Sequence, residues 1–334
     1  MHRLGPTIEE LKRARRQWLG LFARMPAEPP EPAGSLVEIT DFGPNAGHLR
    51  MHVFVPPRLS PYPALVVVLH GCGQKPAQYE RRAGWCELAA ELGFLVCYPQ
   101  QQDANNAQTC FNWFSPRRRA RDQGEAASIR AMIAHLAQAY AIDPARIFIT
   151  GFSAGGSMAA AMLAAYPDVF AAGAVISGLP VGVADNVSQA LEAMAQGDKR
   201  SGPQAAAAVR LMSEAEHWPR LLVWHGLSDD VVAPANAGGL VRQWRHVHGL
   251  RAAPDVDHWM PGGRRRRIWR DAKGHDGVEY DAVLGLGHML VASSTPVIAA
   301  FFGLKPPSLI DKALEKIARL TDMPSLIARW SKQP

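Results

Sequence analysis

Between about residue 36 and residue 303 the chain repeats one pattern: a short apolar run, a turn, then a segment with helical spacing. Val66-Val67-Val68-Leu69 and Ala174-Val175-Ile176 are apolar without interruption, so strands there must be covered on both faces. Strands are expected at 50–55, 64–69, 94–98, 146–150, 172–176 and 220–225, with another near 278–284. Helices are expected at 83–92, 124–140, 154–165 and 235–248. This alternation predicts an α/β fold with a mainly parallel central sheet flanked by helices. Ligands of such sheets bind beyond the carboxyl ends of the strands, so the loops that follow strands are where chemistry belongs.

The chain has 334 residues, room for one large domain of this kind with short extensions. Residues 1–35 form the first extension. Ile8, Leu11, Trp18, Leu19 and Phe22 recur at helical spacing among arginines and lysines, which predicts an amphipathic helix over 7–23, followed by a Pro-rich linker over Pro26 to Pro32. Such a helix either packs on the domain or lies on a membrane or polymer-granule surface. Residues 304–334 form the second extension, where Ile310, Leu314, Ile317 and Leu320 predict another amphipathic helix. The Ala-rich stretch 183–218 reads as a helical insert between two core strands, either a cap over the site or a surface excursion.

The most specific local signal is Arg146-Ile147-Phe148-Ile149-Thr150-Gly151-Phe152-Ser153-Ala154-Gly155-Gly156. It reads as a strand, a G-x-S-x-G turn and an Ala-rich helix. The pentapeptide alone is weak in a chain with 29 glycines, but the flanking strand and helix make it specific. A serine at such a sharp turn adopts a strained backbone, and the small neighbours let the turn close. Ser153 is thereby lifted above the sheet at a helix N-terminus, where negative charge is favoured.

A serine hydroxyl needs a base within hydrogen-bond reach. The histidines after Ser153 are 217, 225, 246, 248, 258, 275 and 288. His288 is favoured because Leu284-Gly285-Leu286-Gly287-His288 follows the last core strand, and its glycines permit a tight loop; His275, in a polar loop, is second. An acid should end an earlier strand and orient the imidazole. Leu221-Leu222-Val223-Trp224-His225 is that strand, and Asp229 and Asp230 in the following loop compete equally for the role.

Acyl transfer also needs two N–H donors aimed at the developing oxyanion. Ala154, next to the serine, offers one, and Cys72 in Leu69-His70-Gly71-Cys72-Gly73-Gln74 is the candidate for the other. Read as a nucleophile instead, Cys72 has no paired histidine motif to support it. His70 is expected to hold loop backbone.

Of the four cysteines, Cys97 lies in the apolar run Phe94-Leu95-Val96-Cys97-Tyr98 and belongs in the core. Cys72 and Cys110 lie in loops near the candidate site and would pair in an exported protein. None of the spacings suggests zinc, and no metal or organic cofactor is implied. The formal charge of +6 is concentrated in Arg117–Arg119 with Arg121 and in Arg264–Arg267. Without interleaved aromatic motifs these runs read as solvated loops, and no nucleic-acid partner is expected. No apolar run reaches the roughly 18 residues of a membrane span. Met1 to Gly20 lacks the apolar core of a secretory signal, which leaves the compartment open.

Taken together, these segments resemble the polyhydroxybutyrate depolymerase-like esterase family, which also includes feruloyl and acetylxylan esterases. The likeness spans about residues 36–303 and rests on five motifs in order: the Cys72 loop, Cys110-Phe111-Asn112-Trp113-Phe114, the Ser153 turn, His225-Gly226-Leu227-Ser228-Asp229-Asp230-Val231-Val232, and Gly285-Leu286-Gly287-His288. The resemblance implies an α/β-hydrolase fold, a serine ester hydrolase, Asp229 rather than Asp230 as the acid, and a substrate cleft beside Asn112, Trp113 and Phe114. It also implies extracellular relatives. Phe111 stands where a tryptophan is common, and Met289-Leu290 replaces a Trp-Pro-Gly run. Short-chain hydroxyalkanoate esters or soluble oligomers are the expected substrates, with feruloyl or acetyl groups on carbohydrate as the alternative.

Overall fold

Ten strands form a single sheet in the computed structural model, which describes residues 36–304. The amphipathic segment 7–23, the Pro-rich linker and the C-terminal amphipathic segment lie outside the described residues. In chain order the strands are β1 (Val37–Ile39), β2 (Arg50–Phe54), β3 (Leu65–Leu69), β4 (Leu95–Gln100), β5 (Ile147–Phe152), β6 (Ala172–Ile176), β7 (Arg220–Gly226), β8 (Val256–Met260), β9 (Arg264–Arg270) and β10 (Asp276–Val283). Their order across the sheet is β1-β2-β4-β3-β5-β6-β7-β10-β9-β8. From β4 to β10 every neighbouring pair is parallel, while the pairs at both edges are antiparallel.

Strand alternation divides the buried side chains into two cores, one on each face. Leu65, Val67 and Leu69 face a core shared with the helices Gly124–Tyr140, Ala154–Ala165 and Ala235–Val247. Val66 and Val68 face the other, built with the helices Pro76–Ala83, Trp85–Leu92 and Ser294–Phe301. The expected parallel sheet flanked by helices is therefore present. The expected helix over 83–92 is Trp85–Leu92, set off from the helix Pro76–Ala83 before it by Gly84, whose φ of 72° makes a left-handed turn.

The insert is helical, as its composition suggests, over Val187–Gln196 and Gly202–Arg210. It is fastened to the helix Ala235–Val247. Gln243 accepts from the Val181 N–H and donates to the Val181 and Ala205 carbonyls, and Asn236 Nδ2 donates to the Ala193 carbonyl. Gly202 lies so close to the His246 ring that a Cβ would come within 2.1 Å of it.

The run Arg264–Arg267 departs from the solvated loop expected of it, and in the other run Arg119 does so while Arg117 and Arg121 are exposed. Arg264–Arg267 lies within β9, and each member has a partner. Arg264 pairs with Asp281 at 2.7 Å, Arg265 with Asp257 at 2.8 Å and Arg266 with Glu279 at 2.6 Å, while Arg267 stacks over the Tyr280 ring. Arg119 is buried and donates to the Trp113, Phe114 and Ala184 carbonyls and to Asp185. These bonds offset the cost of burying the Arg119 guanidinium. Among the described residues no helix is long and apolar enough to cross a membrane.

Candidate active site

Four loops meet at the carboxyl edge of the parallel strands, one after each of β3, β5, β7 and β10. The loop after β5 is the sharpest. Ser153 has φ 56° and ψ −119°, a region that costs about 1–3 kcal/mol and persists only where the surroundings over-determine it. Here they do. The Ser153 N–H donates to the Ile176 carbonyl at 2.9 Å. A Cβ on Gly151 would come within 2.4 Å of the Gly155 carbonyl oxygen, and one on Gly155 within 2.3 Å of the Leu69 carbonyl oxygen. Both glycines are needed for the helix Ala154–Ala165 to start directly against the end of β3.

The loops after β7 and β10 are joined backbone to backbone. Leu227 N–H donates to the Val283 carbonyl at 2.8 Å, and Ser228 N–H to the Leu286 carbonyl at 3.0 Å. Gly226 has to be a glycine, because a Cβ would come within 2.1 Å of the Leu286 oxygen. This zipper brings residues 229 and 288 together. His288 Nδ1 lies 2.9 Å from Asp229 Oδ2, and His288 Nε2 lies 3.0 Å from Ser153 Oγ. The ring also rests on Phe152, with centroids 4.8 Å apart. With Asp229 accepting at Nδ1, the neutral ring leaves Nε2 free to take the Ser153 proton.

Asp229 is buried. Its Oδ1 accepts from the Val231 and Val232 N–H groups at 3.0 and 2.8 Å. Burial works against its charge. The hydrogen bonds from His225, His288 and the Val232 N–H outweigh that burial, and hold the carboxyl well below the ordinary aspartate range. Asp230, its equal in sequence, is exposed. His275 is exposed and bonded to Asp271 in the turn before β10, away from Ser153.

The Cys72 loop after β3 lies beside Ser153 because β3 and β5 are neighbours. Its N–H groups divide cleanly. Gly71 N–H donates to Gln74 Oε1 at 2.9 Å and Gly73 N–H to the Gln108 carbonyl at 2.8 Å. Neither the Cys72 N–H nor the Ala154 N–H donates to a protein acceptor among the described residues. His70 holds the loop from below: Nδ1 donates to the Gly71 carbonyl at 2.8 Å, and Nε2 accepts from Gln101 N–H at 3.0 Å. Burial pushes this imidazole down to about 4, so it is neutral.

Cys72 and Cys110 form a disulfide, whereas Cys86 and Cys97 are buried free thiols. The disulfide ties the Cys72 loop to the segment that carries Asn112, Trp113 and Phe114. Trp113 and Phe114 are buried and meet edge to face, with centroids 5.7 Å apart. Asn112 is half-buried; its backbone N–H and Nδ2 donate to Glu125, and its Oδ1 accepts from Asn106. The Asn112 amide is engaged at both ends within the protein. A side chain at the site that the sequence reading did not assign is His225, 3.3 Å from Asp229 Oδ2. Its place near the end of β7, four residues before Asp229, was the available signal.

Residues 49–263 match the family described as Esterase PHB depolymerase. The chain is 39% identical over 256 residues to a poly(3-hydroxyalkanoate) depolymerase C of Paucimonas lemoignei, covering 76% of this chain and 61% of that protein. It is 30% identical over 282 residues to feruloyl esterase B of Talaromyces funiculosus, covering 81% of this chain and 78% of that protein. Among solved structures, an acetyl xylan esterase from Aspergillus awamori superposes with a TM-score of 0.74 at 27% identity, over 81% of this chain and 100% of that one. The fold is that of the α/β-hydrolases, and the chain belongs to the PHB depolymerase family of carboxylic ester hydrolases.

Proposed function

We propose that this chain hydrolyses carboxylic esters through an acyl-enzyme on Ser153, with His288 as general base and Asp229 as the acid that orients it. The observation that carries this reading is the continuous line of hydrogen bonds from Ser153 Oγ through both His288 nitrogens to Asp229. Ser153 Oγ attacks the ester carbonyl carbon as its proton passes to His288 Nε2. The carbonyl oxygen becomes an oxyanion and is received by the free N–H groups of Cys72 and Ala154. As the tetrahedral intermediate collapses, the C–O bond to the alcohol breaks and His288 returns the proton to the departing oxygen. Water then enters, gives its proton to His288 and attacks the acyl carbon. The acid leaves and Ser153 is restored.

Throughout, Asp229 stays ionised and stabilises the imidazolium. The catalytic domain in this reading is residues 36–303, with 1–35 and 304–334 as extensions. The insert 183–218 is its flank, and Trp113 and Phe114 form an apolar wall behind the Cys72 loop.

Short-chain hydroxyalkanoate esters or their soluble oligomers are the substrates we favour, because the highest identity among the relatives described above is to a poly(3-hydroxyalkanoate) depolymerase. Deacetylation or deferuloylation of carbohydrate is the second reading, favoured by the full-length superposition on an acetyl xylan esterase. Turnover of hydroxybutyrate oligomers, methyl ferulate and acetylated xylan, measured side by side, separates the two. The chemistry itself is tested with Ser153→Ala. We expect loss of p-nitrophenyl acetate turnover and of fluorophosphonate labelling with an unchanged circular dichroism spectrum. Near-wild-type turnover by that variant refutes the assignment.

A further inference from the structure

A second histidine meets the Asp229 carboxylate. His225 is the next-to-last residue of β7 and is fully buried. Its Nε2 stands 2.9 Å from the Val232 carbonyl oxygen and 3.3 Å from Asp229 Oδ2. Carbonyl and carboxylate oxygens only accept, so the proton is on Nε2 and is shared between two acceptors. The short arm closes a ring of contacts, because Val232, whose carbonyl receives it, returns its own N–H to Asp229 Oδ1 at 2.8 Å. The long arm reaches the same carboxylate oxygen that His288 uses. The other ring nitrogen, Nδ1, is buried without a protein partner among the described residues, which is costly. An apolar side chain would fill this space without that cost, so the two-armed contact of Nε2 is what sets histidine apart here.

We propose that His225 is a positioning residue for Asp229: it fixes which carboxylate oxygen faces His288 and moderates how strongly that carboxylate holds a proton on His288. The proposal rests on the triad read above and deepens it. An ionised Asp229 draws a proton onto His288, and each further donor to the carboxylate shares its charge and weakens that draw. Other charged groups do not compete for this role. The residue opposite His225 on β10 is Ala282. Asp281, next to it, lies on the opposite face with Trp224 and pairs with Arg264. Tyr280 shares His225's face but lies opposite Val223, and Arg265 is a further strand away, bonded to Asp257. Among the described residues, Asp229 is the ionisable group in contact with the His225 ring.

The test is the pH profile of kcat/KM for p-nitrophenyl acetate in His225→Leu and His225→Gln. Leucine keeps the bulk and removes the donor; glutamine carries a donor near the Nε2 position. We expect the leucine variant to lose about tenfold in kcat, the worth of one hydrogen bond to a charged group, and its acid limb to move to higher pH. The glutamine variant should stay near wild type in both. Melting temperatures measured in parallel separate a role in folding. If the leucine variant melts earlier but keeps its kcat and its acid limb, or if the limb moves to lower pH, the proposal is overturned. Should leucine fail to fold, His225→Asn takes its place with the same expectations, since its amide is too short to reach Oδ2. Ser153→Ala is assayed alongside. If it remains active, the triad reading has failed; if it is inactive while both histidine variants behave as wild type, only the present proposal has.

Discussion

Opening the Cys72–Cys110 disulfide should cost both stability and rate, and the structure separates the two. The bond closes a sequence separation of 38 residues. In the chain-entropy treatment a loop of that length is worth about 4 kcal/mol. In a domain of this size that corresponds to a fall in Tm of about 8 °C. The effect on rate comes through the Cys72 N–H. Losing one oxyanion donor outright costs about 2.7–4 kcal/mol of barrier. Three other ties would still hold the loop: Gly73 N–H on the Gln108 carbonyl, Gly71 N–H on Gln74, and His70 on the Gly71 carbonyl. Partial misalignment is therefore expected, with kcat lowered by about tenfold and KM little changed. The double variant Cys72→Ser with Cys110→Ser keeps the backbone N–H and removes only the bond. Thiol titration in denaturant should read two groups in the unreduced wild type, Cys86 and Cys97, and four after reduction. Four thiols without reductant would refute the pairing. A double variant that melts earlier but turns over at the wild-type rate would refute the link between this bond and the oxyanion donor while leaving the entropy argument intact.

Asp229→Asn keeps the shape and removes the charge that stabilises the imidazolium; kcat should fall by about 10⁴-fold, read by active-site-titrated turnover, and Tm should fall too, because the donors that hold this carboxyl ionised stabilise the fold. Gly155→Ala places a methyl within 2.3 Å of one backbone carbonyl oxygen and 2.5 Å of a second, neither of which can swing aside. A loss of at least about 3 kcal/mol in urea unfolding is expected. His70 gives a pH signature. Its folded-state value of about 4 lies below the ordinary histidine value, so folding favours the neutral ring. The stability it contributes is complete above about pH 6.5 and is lost as pH falls toward 4, by about 3 kcal/mol in all. Urea midpoints measured across that window should decline, and His70→Gln should flatten part of the decline.

The parts of the site that are legible in sequence are those whose constraints are local. Gly151 and Gly155 flank Ser153 because the turn cannot close around a Cβ at either position, and that requirement is written within five consecutive residues. His288 stands out for a similar reason, since a glycine-rich loop after a last apolar strand has few other uses. The choice between Asp229 and Asp230 is different. Both have the right chemistry, and what separates them is the direction each side chain takes as it leaves the turn: one toward Val231, Val232 and His288, the other into solvent. Resemblance could decide it; residue chemistry alone could not. For Asn112, which the resemblance places beside the substrate cleft, the sequence does not show its partner: Glu125, from a helix start 13 residues further along the chain.

The β8–β9 hairpin was illegible for a deeper reason. Strands are recognised from a contrast between apolar and polar residues with a period of two, because one face meets a core and the other meets water. In β9 neither face carries that contrast through Arg264, Arg265, Arg266 and Arg267. Alternate arginines turn to opposite sides, and each finds its own partner: Asp281 and Glu279 from β10 on one side, Asp257 from β8 and the Tyr280 ring on the other. Those partners lie 8 to 17 residues away, so the run reads as unpaired charge until the strands are placed side by side. The hairpin in turn bears on the site. Leu284 N–H donates to the Gly263 carbonyl in its turn, so the backbone that leads to His288 is held on one side by the hairpin and on the other by the Asp229 loop. An arginine run that reads as a charged surface thus belongs to the frame that fixes where the imidazole stands.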